Sequence, residues 1–545
     1  MRKKLLTTGI ALVSFLSMYA GDIVTNTNQN VTFLRNPARD ASTEIDAAYT
    51  NPAGLAFLKK DGFIISVNNQ SAFQTRTITS TFAPFTGLGG SDTKAFEGKA
   101  QALVIPNLQA AYKFNKWVIS ANVGIVGGGG TLDFSKGLPS FESQVAIVPT
   151  LLQLNGIQAT QYSLDSRLKG TSVIYGVQLG VTYKISDRFS AYIGGRASFE
   201  NFKYEGYLRD IKISMADGTE VGQYLTAAAA KATAAAAQAT GVANSLQPII
   251  NGGYGDAPLS MLVGAGVLTQ AQVDQMAAGL GLSSAQAGAM TVNQMQGGFN
   301  QAAQMATSIA EKATGTAAQI AAETGNKELN CKQNGFGIAP IIGFDYNWNG
   351  LNIGVKYEFK SAVTLKNKTA TNTTGVPSYD DGAETPYDIP AMLAIGAQYD
   401  IVPEATVSAG YHHFFDSDAK MAGNRQKNIN GGVNEYLAGV EYRINKTFLV
   451  SYGMQFTNPR VKDDYMTDIS FDINSYSVGL GGAINLTENI RLNLAYLFTN
   501  YYNRTINSDD YQGLSAKNGI KDKIPGTDVY SRTNKAFGIG LDFRF

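Results

Sequence analysis

The last eleven residues, KAFGIGLDFRF, alternate without a fault: Phe537, Ile539, Leu541, Phe543 and Phe545 fall on one face, and Ala536, Gly538, Gly540, Asp542 and Arg544 on the other. A period of two is the signature of a strand with one apolar side. The same pattern sets Leu351, Ile353, Val355, Tyr357 and Phe359 against Asn352, Gly354, Lys356, Glu358 and Lys360. It recurs at Phe448, Val450, Tyr452, Met454 and Phe456, and at Ile490, Leu492, Leu494, Tyr496 and Phe498. Strands of a soluble sandwich alternate too, but they usually run about five or six residues. These run ten or more, the length a strand needs to cross a bilayer at a tilt, roughly 9–11 residues.

Strand patterns fall near 62–82, 100–113, 116–132, 171–184, 187–207, 334–347, 350–362, 387–400, 403–416, 432–444, 447–458, 473–486, 488–501 and 532–545, fourteen in all. The short turns FNK, SD, WNG, VPE, INK and LTE alternate with long polar connections. Short turns at one end and long loops at the other are the layout of a bacterial outer-membrane barrel. Backbone in lipid must satisfy its own hydrogen bonds, so the first strand has to meet the last. The reading is an all-β transmembrane fold: a 14-stranded antiparallel barrel, residues 59–215 supplying strands one to five and 334–545 strands six to fourteen.

Composition agrees. Only 16% of residues are charged and the net charge is +1, against roughly a quarter charged in soluble domains. That balance gives no reason to expect a nucleic-acid partner. Residues 1–20 read as a secretory signal peptide, with Arg2, Lys3 and Lys4 before an apolar stretch from Leu5 to Leu16 and Ala20 at the cleavage site. No run of about 18 apolar residues follows, so any membrane is spanned by strands. The single Cys331 excludes an intramolecular disulfide framework.

Residues 216–333 break the alternation. YLTAAAAKATAAAAQATGVANSL is Ala-rich and helix-forming. LTQAQVDQMAAGLGL carries a capping pair, Thr269 with Gln272, and a stop at Gly279 and Gly281. By strand count this helical insertion lies on the extracellular side. Its Met and Leu residues read either as the ordinary core of a packed helical bundle or as an apolar capture surface, with Met261, Leu262, Val263 and Leu268 as its candidates.

Before the first strand, residues 21–58 are too polar and irregular to cross a membrane, and a fourteen-strand barrel leaves a lumen for such a segment to fill. Within it an Asn-Pro-Ala step occurs twice, at Asn36-Pro37-Ala38 and at Asn51-Pro52-Ala53-Gly54, and should form turns. Asn51-Pro52-Ala53 just before the first strand, together with Pro106-Asn107 in VIPNLQAAYKF, resembles the long-chain fatty acid outer-membrane transporters, the FadL-like family. The first Asn-Pro-Ala has no counterpart in that pattern, and the insertion is longer and richer in Ala than the family's.

The resemblance implies a barrel plugged by an N-terminal hatch, with Asn51, Pro52, Ala53 and Gly54 as the hatch motif and Pro106 and Asn107 as a second-strand motif. It also implies a kink in the third strand that lets an apolar solute leave sideways. Gly127, Gly128, Gly129 and Gly130 are the place where missing side chains permit one; a flexible start to a loop accounts for them equally well.

Chemistry finds little support. His412 and His413 are the only histidines, and neighbours in a strand face opposite sides, so they cannot share a metal in the lumen. There is no metal-ligand cluster, phosphate-cradling loop or nucleophile elbow, and neither an enzyme nor a cofactor is expected. The expected function is passive transport of hydrophobic compounds, long-chain fatty acids first, by apolar capture, hatch movement and exit near the third strand. Partners would be those solutes, outer-membrane lipid, and the barrel assembly machinery through Phe545. The rivals are another apolar cargo, such as aromatic hydrocarbons or haem, and a barrel-anchored adhesin.

Overall fold

The computed structural model describes residues 30–545, so the signal-peptide reading and the first residues of the hatch lie outside the described part. The chain divides into two compact units. In the first, β1 (Gly62–Phe82), β2 (Thr93–Phe114), β3 (Trp117–Phe134), β4 (Ala159–Lys184), β5 (Phe189–Met215) and β6 (Lys327–Trp348) begin the wall. It continues through β7 (Leu351–Glu358), β8 (Thr364–Asn372), β9 (Glu384–Pro386), β10 (Met392–Val402), β11 (Ala405–Phe414) and β12 (Asn434–Arg443). It ends with β13 (Phe448–Asn458), β14 (Ser475–Asn485), β15 (Ile490–Tyr501), β16 (Arg504–Ser508) and β17 (Gly526–Arg544).

These 17 segments make fourteen crossings, because β8, β9 and β16 are short pieces that prolong broken strands beside β6, β8 and β17. The wall is antiparallel and closed: β17 pairs with β15 on one side and with β1 on the other, from Ile64 opposite Arg544 to Phe82 opposite Gly526. Closure joins the first strand to the last, so the sheet has no free edge strand.

Several strands outrun their expected limits. β2 starts at Thr93 rather than near 100, β4 at Ala159 rather than near 171, and β5 continues to Met215 rather than ending near 207. Charged residues are frequent in these extensions (Lys94, Glu97 and Lys99; Asp165, Arg167 and Lys169; Arg209, Asp210 and Lys212), so the long uncharged alternation that marks a lipid-facing strand is weaker there. A helix, Pro139–Leu154, occupies a connection that the sequence left blank.

Polarity in the wall is inverted relative to a soluble protein. Ile193, Ile338, Leu480 and Ile539 are more than half exposed on the outside, whereas Asn68, Gln109, Asn122, Gln178, Asp345, Asn352 and Asn493 are buried inside. An apolar exposed band around a polar interior fits hydrocarbon outside the wall and excludes a sandwich, whose interior is dry.

The second unit comprises residues 148–163 and 211–325. Its long helices, Val221–Ser245 and Val292–Glu323, pack along a seam with Leu225, Ala229, Ala236 and Ala243 on one and Phe299, Ala303, Ala310 and Ala313 on the other. Small side chains let the two backbones approach. Thr269 caps helix Gln270–Leu280 with Gln272, and Gly281 ends it in the left-handed conformation at φ 68°; the same Ser/Thr-x-x-Gln box recurs at Ser283 and Thr291.

Residues 30–58 lie in the lumen of the wall unit, and the wall makes room for them with glycines. Gly354, Gly396 and Gly410 stand directly across from one another on β7, β10 and β11, and Gly439, Gly453 and Gly479 on β12, β13 and β14. A Cβ at the first three would lie 2.2–2.6 Å from Asp40, and at the others 1.9–2.4 Å from Asn36, Pro37 and Leu34. Glycine inside a strand commonly marks the close approach of another backbone, and here residues 34–40 lie in a trough of six. Gly453→Val should lift the Asn36-Pro37 turn from the wall. Trypsin should then cut at Arg35 or Arg39 in a barrel that keeps its heat-dependent gel mobility, whereas Gly130→Ala, whose nearest neighbour would be Ala102 Cβ at 3.8 Å, should stay protected. Equal protection of both variants would contradict the trough.

Candidate functional site

The hatch has little regular structure, so the question is where its backbone polar groups go. Many are met by inward side chains of the wall. Gln178 donates to the carbonyl of Ala48 (3.0 Å), Thr182 to Pro52 (2.7 Å), Ser190 to Ala53 (2.7 Å), Asn352 to Ala41 (2.8 Å) and Lys356 to Tyr49 (3.1 Å). The polar face that the alternation assigned to the interior is thus the hydrogen-bonding surface for the plug.

The two Asn-Pro-Ala steps adopt one local design. Asn36 Oδ1 accepts from the Ala38 N–H at 3.2 Å, and Asn51 Oδ1 from the Ala53 N–H at 3.4 Å. Each Asn then uses its amide on the wall: Asn36 Nδ2 donates to Ser408 Oγ (3.2 Å) and Asn51 Nδ2 to the Phe344 carbonyl (3.0 Å). Pro52 is pre-set for the first turn of the short 3₁₀ helix Pro52–Phe57, which Asn51 caps. A Cβ on Gly54 would sit 2.1 Å from the Ser42 carbonyl oxygen, so this glycine serves a close contact.

Charges anchor the first half of the hatch. Arg35 Nη1 donates to Glu441 Oε1 (2.6 Å) and Ser451 Oγ (2.9 Å). Arg39 bridges Asp46 (2.6 Å) and Glu441 (3.0 Å), and Arg491 reaches Glu44 at 2.7 Å. Burial alone would raise the Glu44 carboxyl; Arg491, Arg39 and Arg35 outweigh it and hold the group well below the usual carboxylate range. His412 faces inward with Nε2 2.9 Å from Asp40 Oδ1 of the hatch and Nδ1 2.8 Å from Glu435 Oε2. His413 contacts Asn434 instead, at 2.7 Å, so the pair is divided between the two faces.

Against the hatch lies a cavity of about 370 Å³, within the range of small-molecule sites. Phe33 and Leu34 of the short helix Val31–Arg35 line it, as do Ala102 and Ile105 of β2 and Gly128 and Gly130 of β3. At that wall the ladder is interrupted. β2 and β3 pair at Gln101–Thr131 and again at Asn107–Gly124, and the residues between make no rungs. On the other flank, β3 shifts register against β4 at Ile125/Gly127 and at Gly128/Gly130, with Gly128 at φ 66°. The four glycines therefore sit inside a strand, in the span that leaves its neighbour.

Pro106, which has no N–H to give, ends the unpaired run of β2, and Asn107 re-forms the ladder, its side chain donating to Asn122 Oδ1 at 2.9 Å. Outside, Leu103 and Val104 are 64% and 71% exposed, which makes this stretch apolar on its outer face.

The capture candidates divide differently. Leu262 and Leu268 are buried in the helical unit's own core with Val273, Met276 and Phe299, and Val263 packs against it. Met261 alone of the four is exposed. Their spacing serves the bundle, and the four do not form a surface.

Sequence reasoning missed the glycine trough and the ionic anchors. The trough had a signal: six strands carry a mid-strand Gly on the polar face. Partners such as Arg35 and Glu441, more than 400 residues apart, had none.

Removing one partner of a buried ion pair typically costs about 3–5 kcal/mol. Glu441→Ala should therefore speed hydrogen exchange in residues 31–39 roughly 100-fold or more while residues of β1 stay protected. Unchanged exchange would mean that the hatch does not depend on this anchor.

No protein-family model and no curated protein matches the chain. Solved structures do. A FadL homologue of Pseudomonas aeruginosa shares 11% identity over 96% of this chain and 100% of its own, with a TM-score of 0.54. The toluene transporter TbuX of Ralstonia pickettii gives 12% identity over 96% and 100%, with a TM-score of 0.46. The toluene transporter TodX of P. putida gives 12% over 92% and 94%, with a TM-score of 0.44. At these identities the likeness concerns architecture, and the chain has a FadL-like fold: a 14-stranded antiparallel barrel with an N-terminal segment in its lumen and a helical insertion.

Proposed function

We propose that this chain resides in the bacterial outer membrane and passes hydrophobic compounds through it by diffusion, with long-chain fatty acids as the cargo. The observation that carries this reading is the cavity between the hatch and the interrupted β2–β3 ladder. An amphiphile held there has the plug against it and a stretch of wall beside it in which no interstrand hydrogen bonds have to break. Burial of its chain is favourable by roughly 0.8 kcal/mol per methylene. The outward residues at the same height, Leu103 and Val104, are apolar, so a solute leaving sideways meets hydrocarbon and stays out of water.

The cavity lining supports a cargo with a polar end. Leu132, Phe134, Phe202 and Leu497 supply apolar surface, while Arg76, Arg532 and Asp472 supply charge. The guanidinium of Arg532 lies 4.8 Å from the ring centre of Tyr501, and its Nε, although buried, has no hydrogen-bond partner. A buried donor of this kind is suited to a carboxylate and has nothing to offer a plain hydrocarbon.

The test uses cells that lack their own fatty acid transporter and express this protein. Arg532→Gln should lower labelled oleate uptake about tenfold, the loss of one charge-assisted hydrogen bond of roughly 1.5 kcal/mol, and leave toluene uptake unchanged. Equal loss for both solutes would overturn the carboxylate assignment. Uptake of neither solute by the unaltered protein, together with a stable co-purifying protein partner, would favour an adhesin.

A further inference from the structure

A second, smaller cavity of about 70 Å³ lies between the hatch and the wall, bounded by Asp40, Tyr49, Val126, Arg196, Lys356 and His412 among others. Its lining and that of the 370 Å³ cavity have one residue in common among those described, Phe33. Both also abut the stretch of β3 that leaves β2: Val126 borders the smaller chamber, Gly128 and Gly130 the larger. Phe33 thus borders two spaces that lie along one piece of interrupted wall.

The helix that carries the ring is fixed at both ends. Asn30 caps it by accepting from the Thr32 N–H at 2.7 Å and donates to Gln109 Oε1 at 2.5 Å. The Val31 N–H donates to Asn68 Oδ1 at 3.2 Å, and Arg35 is tied to Glu441 and Ser451. Leu34 lies so close to Gly538 that a Cβ there would be 2.8 Å from its Cδ1. Phe33 itself packs against Ala38 and Leu437. A side chain that borders two chambers, on a backbone held by its neighbours, opens a path by turning about its own torsions while the hatch stays docked.

We propose that Phe33 is the gate between the two chambers: the acyl chain of a solute held in the larger cavity passes it to reach the unpaired wall beside Val126 in the smaller one, and Phe33 sets the girth of chain that can pass. This rests on the transport reading above. With the ring in place the passage is shut to bulky chains; a slim alkyl chain displaces the ring, and a larger ring in its place blocks even that.

The experiment compares Phe33→Ala, Phe33→Trp and the unaltered protein in transporter-deficient cells, using labelled oleate and a fatty acid ending in pyrene. Barrel assembly is checked by heat-dependent gel mobility, and hatch docking by resistance of Arg35 and Arg39 to trypsin. Phe33→Ala should raise pyrene-acid uptake at least threefold and keep oleate uptake, and Phe33→Trp should lower oleate uptake at least threefold, both with a docked hatch. Uptake within error of the unaltered protein for both variants and both probes, or loss of uptake in both, overturns the gate and leaves the transport reading standing. If the unaltered protein carries neither probe above cells without it, the transport reading itself fails, and the gate falls with it.

Discussion

A strand in hydrocarbon has no water to bond with, so each of its amides must find a partner in the next strand. Everything else in the wall follows from that demand. It forces β17 onto β1, it requires strands long enough to cross, and it turns the polar face of each strand inward. The inward face then needs partners of its own, and the hatch supplies them. Gln178, Thr182, Ser190, Asn352 and Lys356 each donate to a hatch carbonyl, so wall and plug satisfy each other. The interruption between Gln101–Thr131 and Asn107–Gly124 gains its meaning against the same demand, because rungs are missing there from a wall that lipid requires to be bonded.

The hatch is held by three kinds of force in different places. Shape holds residues 34–40, which lie in the glycine trough. Charge holds Arg35, Arg39 and Glu44 against Glu441 and Arg491. Apolar contact holds the second half, where Ile45, Ala48, Leu55 and Leu58 pack with Ile64, Ala111 and Val118 of the wall. This distribution argues against wholesale ejection of the plug, since buried ions and backbone in a fitted trough are expensive to expose together. Smaller movements of single side chains at the cavity are less costly.

How much of this was legible depended on whether the governing force is local. Period-two alternation is local, so the strand at Phe537–Phe545 could be read residue by residue, and so could the capping pair Thr269–Gln272. Extensions such as Thr93–Lys99 of β2 have no apolar face and left no such mark. The echo of Asn-Pro-Ala at Asn36 was visible but not interpretable, because its meaning lies in its docking against Ser408 and Gly439. His412 could be assigned to a face but not to Asp40 and Glu435, since contacts across 372 residues of chain have no spacing rule. Met261, Leu262, Val263 and Leu268 misled for a related reason: an apolar run looks the same whether it covers a core or awaits a ligand.

The central claim is that an apolar solute occupies the cavity between the hatch and the interrupted β2–β3 ladder. Photolabelling of the detergent-purified protein with a diazirine fatty acid, with and without excess unlabelled oleate, tests it most directly. The account predicts that the labels displaced by oleate map to Phe33, Ile105, Leu132 and Leu497. Displaceable labels confined to the helices between Val221 and Glu323, or none that oleate displaces, would contradict it.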